Sequence, residues 1–191
     1  MGIPSVSGIN GLRNDSVLNE MTMDDGRPAH QLAELVEQHY SVLFRYAFRL
    51  TGRTADAEDL VQQSFLIAHR KIEQLRDPAN GKAWLFTIAR NSYLRSLRGK
   101  EAARIVSLDQ APEPGEDCPA DAKLDGEQLQ SILHELEEEF RIPLILFYFE
   151  QFSYKEIAEQ MDVPIGTIMS RLARAKAHLR RRLASFQPIE K

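Results

Sequence analysis

Apolar residues recur at helical spacing through most of the chain, and the pattern breaks at length in one place, between Gly99 and Asp125. Leu32, Leu35, Val36, His39, Tyr40, Leu43, Phe44 and Ala47 fall on one helix face at the i, i+3, i+4, i+7 positions. Gly52 then reads as a stop, and Thr54 as the N-cap of a second helix. Ala57, Leu60, Val61, Phe65, Ala68, Ile72 and Leu75 form its stripe, ended by Asp77-Pro78. Lys82 to Arg98 reads as a third helix that packs through Trp84, Leu85, Ile88, Ala89 and Leu97. The break that follows holds Pro112, Pro114, Gly115 and Pro119 among acids, with no period. At about 25 residues it is too long for an ordinary connection inside one compact domain.

Beyond the break Leu129, Ile132, Leu133 and Leu136 resume the helical stripe. Pro143 sits where a further helix can start, ahead of the apolar run Leu144 to Phe149. No segment shows convincing strand alternation. The expected fold is all-α: two small helical domains at 29–98 and 126–186, joined by a flexible acidic linker over 99–125. A mobile tail is expected over 1–28 and a short tail over 187–191.

Several function classes drop out. No run approaches the roughly 20 apolar residues that a membrane span needs, so no membrane insertion is expected. No basic start followed by an apolar run suggests secretion. Cys118 is the only cysteine, which excludes an internal disulfide and fits a reducing cytoplasm. Neither a GxxxxGK phosphate loop nor an HExxH motif occurs, and the five histidines are scattered. No catalytic residue, metal site or cofactor is therefore expected.

The net charge of −4 conceals strong segregation. Between Glu113 and Glu139 there are ten acids and one base, whereas Arg171 to Arg182 carries six bases and no acid. Leu85 to Lys100 adds four bases, again without an acid. The second basic block lies in a recognisable frame. Ser153-Tyr154-Lys155-Glu156 is a capping box that starts a short helix, Asp162-Val163-Pro164 breaks it, and a long helix follows to about Leu183. That is the helix-turn-helix pattern, carried by the C-terminal domain. On the long helix Ile168, Leu172, Ala175, Leu179 and Leu183 form the core stripe. Thr167, Ser170, Arg174, Ala177 and Arg181 lie opposite, with Arg171 on the flank. Small polar groups backed by arginines suit a major groove, where arginine bonds guanine edges and later cations meet phosphates.

Three motifs together resemble a family. Phe152 to Ala158 followed by Val163 to Ala175 is similar to the C-terminal DNA-reading domain of extracytoplasmic-function sigma factors, the small alternative sigma subunits of bacterial RNA polymerase. Asp56-Ala57-Glu58-Asp59-Leu60-Val61-Gln62-Gln63-Ser64-Phe65 resembles their polymerase-binding helix. Trp84 to Asn91, with Leu97-Arg98, resembles their −10 recognition helix.

The resemblance implies that Asp56, Glu58, Asp59 and Gln62 dock on the clamp of the polymerase largest subunit. It implies that Trp84, Asn91, Arg95 and Arg98 meet the unwound −10 strand, where bases stack on rings and cations follow phosphates. Thr167, Ser170, Arg171, Arg174 and Arg181 would then read the −35 element. Core RNA polymerase and promoter DNA are the implied partners, an anti-sigma factor is a further candidate, and the free chain would be a monomer. Gln63, Arg95 and Met169 depart from residues frequent in the family. The alternative is a stand-alone helix-turn-helix regulator whose N-terminal half is a ligand or dimerisation module.

Overall fold

The computed structural model describes residues 27–106 and 126–186. Among these residues the N-terminal half has three helices: α1 (Arg27–Thr51), α2 (Thr54–Lys71) and α3 (Gly81–Val106). Two single 3-10 turns, Ile72–Gln74 and Pro78–Asn80, join the last two. The C-terminal half has four: α4 (Gly126–His134), α5 (Glu138–Tyr148), α6 (Tyr154–Met161) and α7 (Ile165–Phe186). No strand occurs among the described residues, so the all-α reading stands. Residues 1–26 and 187–191 of the expected tails and the linker residues from 107 to 125, Cys118 included, lie outside the described residues, whereas Arg27 and Pro28 already belong to α1.

The sequence stripes become the core. Leu43, Tyr46, Ala47 and Leu50 of α1 meet Ala57, Leu60 and Val61 of α2 and Leu85, Phe86 and Ala89 of α3. Helix α1 ends on Gly52, whose φ of +74° is the left-handed conformation glycine adopts without a Cβ penalty. Its N–H closes the last turn on the Phe48 carbonyl at 2.8 Å.

Three local expectations need correction. The N-cap of α2 is Arg53, whose side chain makes no capping bond, and Thr54 is the first helical residue. Helix α3 does not stop at Arg98 but runs through Gly99 to Val106. Glycine costs a helix about 1 kcal/mol, and the good helix formers Lys100 to Arg104 outweigh it. Helix α5 starts at Glu138, which leaves Pro143 inside it rather than at its start. Glu138 and Glu139 thus sit in the first turn, where the helix dipole favours them.

The two halves close on each other, and most of their buried apolar residues form one continuous cluster. Phe86 of α3 packs on Phe152, ring centroids 5.3 Å apart. Lys82 Nζ donates to the Glu150 carbonyl at 2.8 Å, and Arg90 donates to the Gln160 carbonyl. Gln130 Nε2 donates to the carbonyls of Phe48 and Arg49 at 3.2 and 3.1 Å. Arg49 lies 3.6 Å from the buried Glu150 carboxylate and stacks 4.1 Å from the Phe149 ring centre. Burial raises the Glu150 pKa, against the pull of Arg49, Lys82 and Arg45.

Candidate nucleic-acid interface

The helix-turn-helix is built by local rules that the sequence announces. The Ser153 N–H donates to Glu156 Oε2 at 2.7 Å, and the Glu156 N–H returns a bond to Ser153 Oγ at 3.3 Å. The Ser153 hydroxyl, and then its N–H, hold the Glu156 carboxyl below its ordinary pKa. Helix α6 ends on Asp162 in the left-handed conformation, φ 52°, which turns the chain sharply. The Pro164 carbonyl then accepts from the Thr167 N–H at 2.9 Å as α7 begins.

Helix α7 is anchored by Ile168, Leu172 and Ala175, all buried against α5 and α6. That anchoring turns Ser170, Arg174 and Arg181 outward, with Thr167 half-buried beside them. The Ser170 hydroxyl donates back to the Thr167 carbonyl at 2.9 Å. Arg171 differs from the others: its guanidinium is committed to Glu139 Oε2 at 2.7 Å. Glu135 similarly gathers His178 at 3.1 Å and Arg182 at 2.5 Å. Glu135 and Glu139 thus brace the flank of α7. The Glu135 carboxyl is held below its ordinary pKa, chiefly by the Arg182 hydrogen bond.

The second set of expected DNA contacts shares one side of α3. Asn91, Arg95 and Arg98 are exposed there, spaced by about one and two helical turns. Trp84 is half-buried on the same side, against the small cluster of Leu35, Ile72 and Leu75. The opposite side of α3 carries Lys82, Phe86, Arg90 and Tyr93 into the contact with the C-terminal half.

The acidic helix α2 divides in the same manner. Glu58, Asp59 and Gln62 are exposed and Asp56 is half-buried. Asp56 and Asp59 face a cleft of about 470 Å³ between the halves, which Tyr93, His134, Glu138 and Arg141 also line. In the cleft wall the buried Arg141 guanidinium donates to the Tyr93 hydroxyl at 2.5 Å and to Glu138 at 3.0 Å, and it touches His134 Nδ1 at 3.0 Å. Burial pushes the Tyr93 hydroxyl up to about 12. Desolvation of the packed side of His134, and then Arg141, lower its pKa.

Sequence reasoning did not find Tyr93, Arg141, Lys82 or Gln130. One signal was available: Arg141 and Glu150 bracket an otherwise apolar run, and buried charges need partners. Among the described residues no group of His, Cys, Asp and Glu could hold a metal ion, and no helix is long and apolar enough to cross a membrane.

Comparison with known proteins settles what this helical scaffold is. The Sigma-70 region 2 family model matches residues 35–103, and the Sigma-70, region 4 model matches residues 126–179. The sigma factor SigL of Mycobacterium tuberculosis is 37% identical over 150 residues, covering 76% of this chain and 85% of that one. The chain belongs to the extracytoplasmic-function sigma factors of RNA polymerase. SigE of Mycolicibacterium smegmatis is 35% identical over 161 residues, and the match spans 79% of this chain and 61% of that longer relative. Among solved structures, the sigma factor RpoE of Bartonella quintana, in complex with the anti-sigma factor NepR, superposes with a TM-score of 0.75 at 30% identity. That match covers 81% of this chain and 98% of the other. CnrH, in complex with the cytosolic domain of CnrY, shares the fold at 23% identity and a TM-score of 0.62. A sigma factor binds core polymerase and directs it to promoters, and the stand-alone regulator reading gives way to this one.

Proposed function

We propose that this sigma factor reads the −35 element with Thr167, Ser170, Arg174 and Arg181 of α7. In this reading Arg171 joins them after leaving Glu139, or stays as a brace for the helix. Trp84, Asn91, Arg95 and Arg98 of α3 meet the melted −10 strand. Asp56, Glu58, Asp59 and Gln62 of α2 dock on the clamp of the largest polymerase subunit. The protein acts in the cytoplasm as a monomer until it joins polymerase. It performs no chemistry of its own, since nucleotide transfer belongs to the core enzyme.

The observation that carries this reading is the anchoring of α7. Its apolar face is locked in the core by Ile168, Leu172 and Ala175, so its cationic face is presented as a rigid edge. A size argument adds a step. A compact body of about 140 residues is about 40 Å across. The −35 and −10 elements lie about 25 base pairs apart, about 85 Å along the duplex. The closed arrangement therefore cannot engage both, and it is the unengaged state. Polymerase docking on α2 competes with the C-terminal half, because Asp56 and Asp59 border the cleft between the halves. The RpoE neighbour is held by the anti-sigma factor NepR, which supports an anti-sigma factor for this chain as well.

Run-off transcription with purified core polymerase on a genomic promoter library tests the reading. Discrete initiation sites that need both halves of the chain are expected. Failure to bind core polymerase in the absence of DNA would refute it.

A further inference from the structure

Six large apolar side chains stand exposed among the described residues, and two of them lie one turn apart at the start of the recognition helix. Ile165 is 48% exposed and Met169 is 53% exposed. Ala173, a further four residues on, is exposed too. Residues four apart on an α-helix are offset by only about 40°, so the three form one strip along α7 beside Ser170 and Arg174. Nothing in the described structure covers this strip, and Gly166 next to it has no atom within 4 Å of where a Cβ would stand.

The surroundings say what does cover it. Helix α7 has no acidic residue, and Arg174, Lys176, Arg180 and Arg181 are all exposed along it. A surface so cationic selects a polyanion and draws it close. Polar readers are few at this end of the helix. Arg171 is bonded to Glu139, and the Ser170 hydroxyl donates its hydrogen bond to the Thr167 carbonyl. A bare apolar strip between cations is costly to leave in water, yet it matches one group on the floor of a major groove, the C5 methyl of thymine.

We propose that the Ile165–Met169–Ala173 strip reads thymine methyls in the −35 element, with Met169 as the specificity-determining residue. The inference rests on the −35 role proposed above for α7. Methionine suits the task because its unbranched, polarisable chain follows an irregular apolar surface. A lysine there, one atom longer and ending in an ammonium, would reach for a phosphate and leave the methyl unread.

The test uses the full chain bound to core polymerase and duplexes randomised over the −35 element. After a preferred sequence is selected, each thymine is replaced in turn by deoxyuridine, which removes only the methyl. At one or more positions the replacement is expected to weaken binding about fourfold, the value of one buried methyl-sized group. Met169→Ala should abolish that difference, and Met169→Leu should keep it. The proposal is overturned if deoxyuridine is tolerated at every position, or if Met169→Ala retains the wild-type sensitivity. It is also overturned if Met169→Ala loses core polymerase instead, which would make the strip a protein-docking surface. A chain that selects no −35 sequence at all refutes the proposed function itself, whereas one that selects a sequence but ignores the methyl refutes only the strip.

Discussion

Replacing Tyr93 with phenylalanine removes one oxygen atom, and the structure indicates where the effect goes. The Tyr93 hydroxyl accepts from the Arg141 guanidinium at 2.5 Å, and the Arg141 side chain is 4% exposed. Water cannot take the place of the lost acceptor while the two halves stay closed. A hydrogen bond from a charged donor is worth about 1.5–3 kcal/mol, and losing it leaves a buried charge short of a partner. In the open state Arg141 and residue 93 are both hydrated, so the change costs nothing there. The closed-to-open ratio should fall by about 2 kcal/mol, or about 30-fold. When the competent state is the minor one, apparent affinity rises in proportion to its population. Tyr93→Phe should therefore bind core polymerase about 30-fold more tightly, without loss of helix content by circular dichroism. Arg141→Met cuts the same contact from the other side. The two changes should be clearly non-additive, as expected for residues that share one bond. If Tyr93→Phe binds core polymerase within twofold of wild type and scatters X-rays as compactly, closure does not gate polymerase binding.

Three other outcomes are expected. A Cβ on Gly52 would stand 2.4 Å from His134 Nε2 in a backbone of φ +74°, so Gly52→Ala should cost about 1–2 kcal/mol from the backbone alone. The added contact makes urea midpoints fall further for the single variant than for Gly52→Ala combined with His134→Ala, measured against His134→Ala, and equal losses would dismiss the contact. Closure should be pH-dependent: the His134 pKa is lowered in the closed state by desolvation and then by Arg141, with Glu138 pulling the other way. Closure is then at full strength above about pH 6.5 and weakens as pH falls through the lowered value; Glu150, whose pKa is raised, favours closure when protonated. Scattering from pH 7.5 to 5.5 should show expansion that His134→Asn removes, and an expansion that survives in that variant would assign it elsewhere. On α7, Leu172→Ala should cost about 2–5 kcal/mol through a core cavity, whereas Arg174→Ala should stay folded and lose about 1–3 kcal/mol of promoter discrimination. Normal initiation by Arg174→Ala would show that the face of α7 is wrongly assigned.

Local chemistry wrote much of this fold into the sequence. The capping box at Ser153 and Glu156 satisfies its own backbone groups, so its meaning depends on nothing distant. The α7 stripe of Ile168, Leu172 and Ala175 follows from helical period alone, and it fixes the outward face by geometry. The errors came where local signals compete. Pro143 reads as a helix start because its missing N–H is harmless there, yet the turn before it, with two acids suited to the dipole, carries the helix start to Glu138. Gly99 reads as a stop, although an exposed glycine with no neighbour merely weakens a helix that the following residues continue.

Closure of the two halves was legible only in the charges of Arg141 and Glu150, because its other polar bonds lack a residue-type signature. The bonds from Lys82, Arg90 and Gln130 end on main-chain oxygens, which every residue possesses. The same chemistry makes the genetics of opening one-sided. Any residue substituted at Phe48, Arg49, Glu150 or Gln160 still offers its carbonyl, so those bonds survive drift on the accepting side. Only Lys82, Arg90 and Gln130 can lose them by mutation. A screen for variants that escape closure should therefore return the donors repeatedly, and the accepting positions only where their own side chains also cross the seam, as in the Arg49–Glu150 ion pair. Related chains could then hold the donor positions on both sides of the seam more tightly than the oxygens those donors meet.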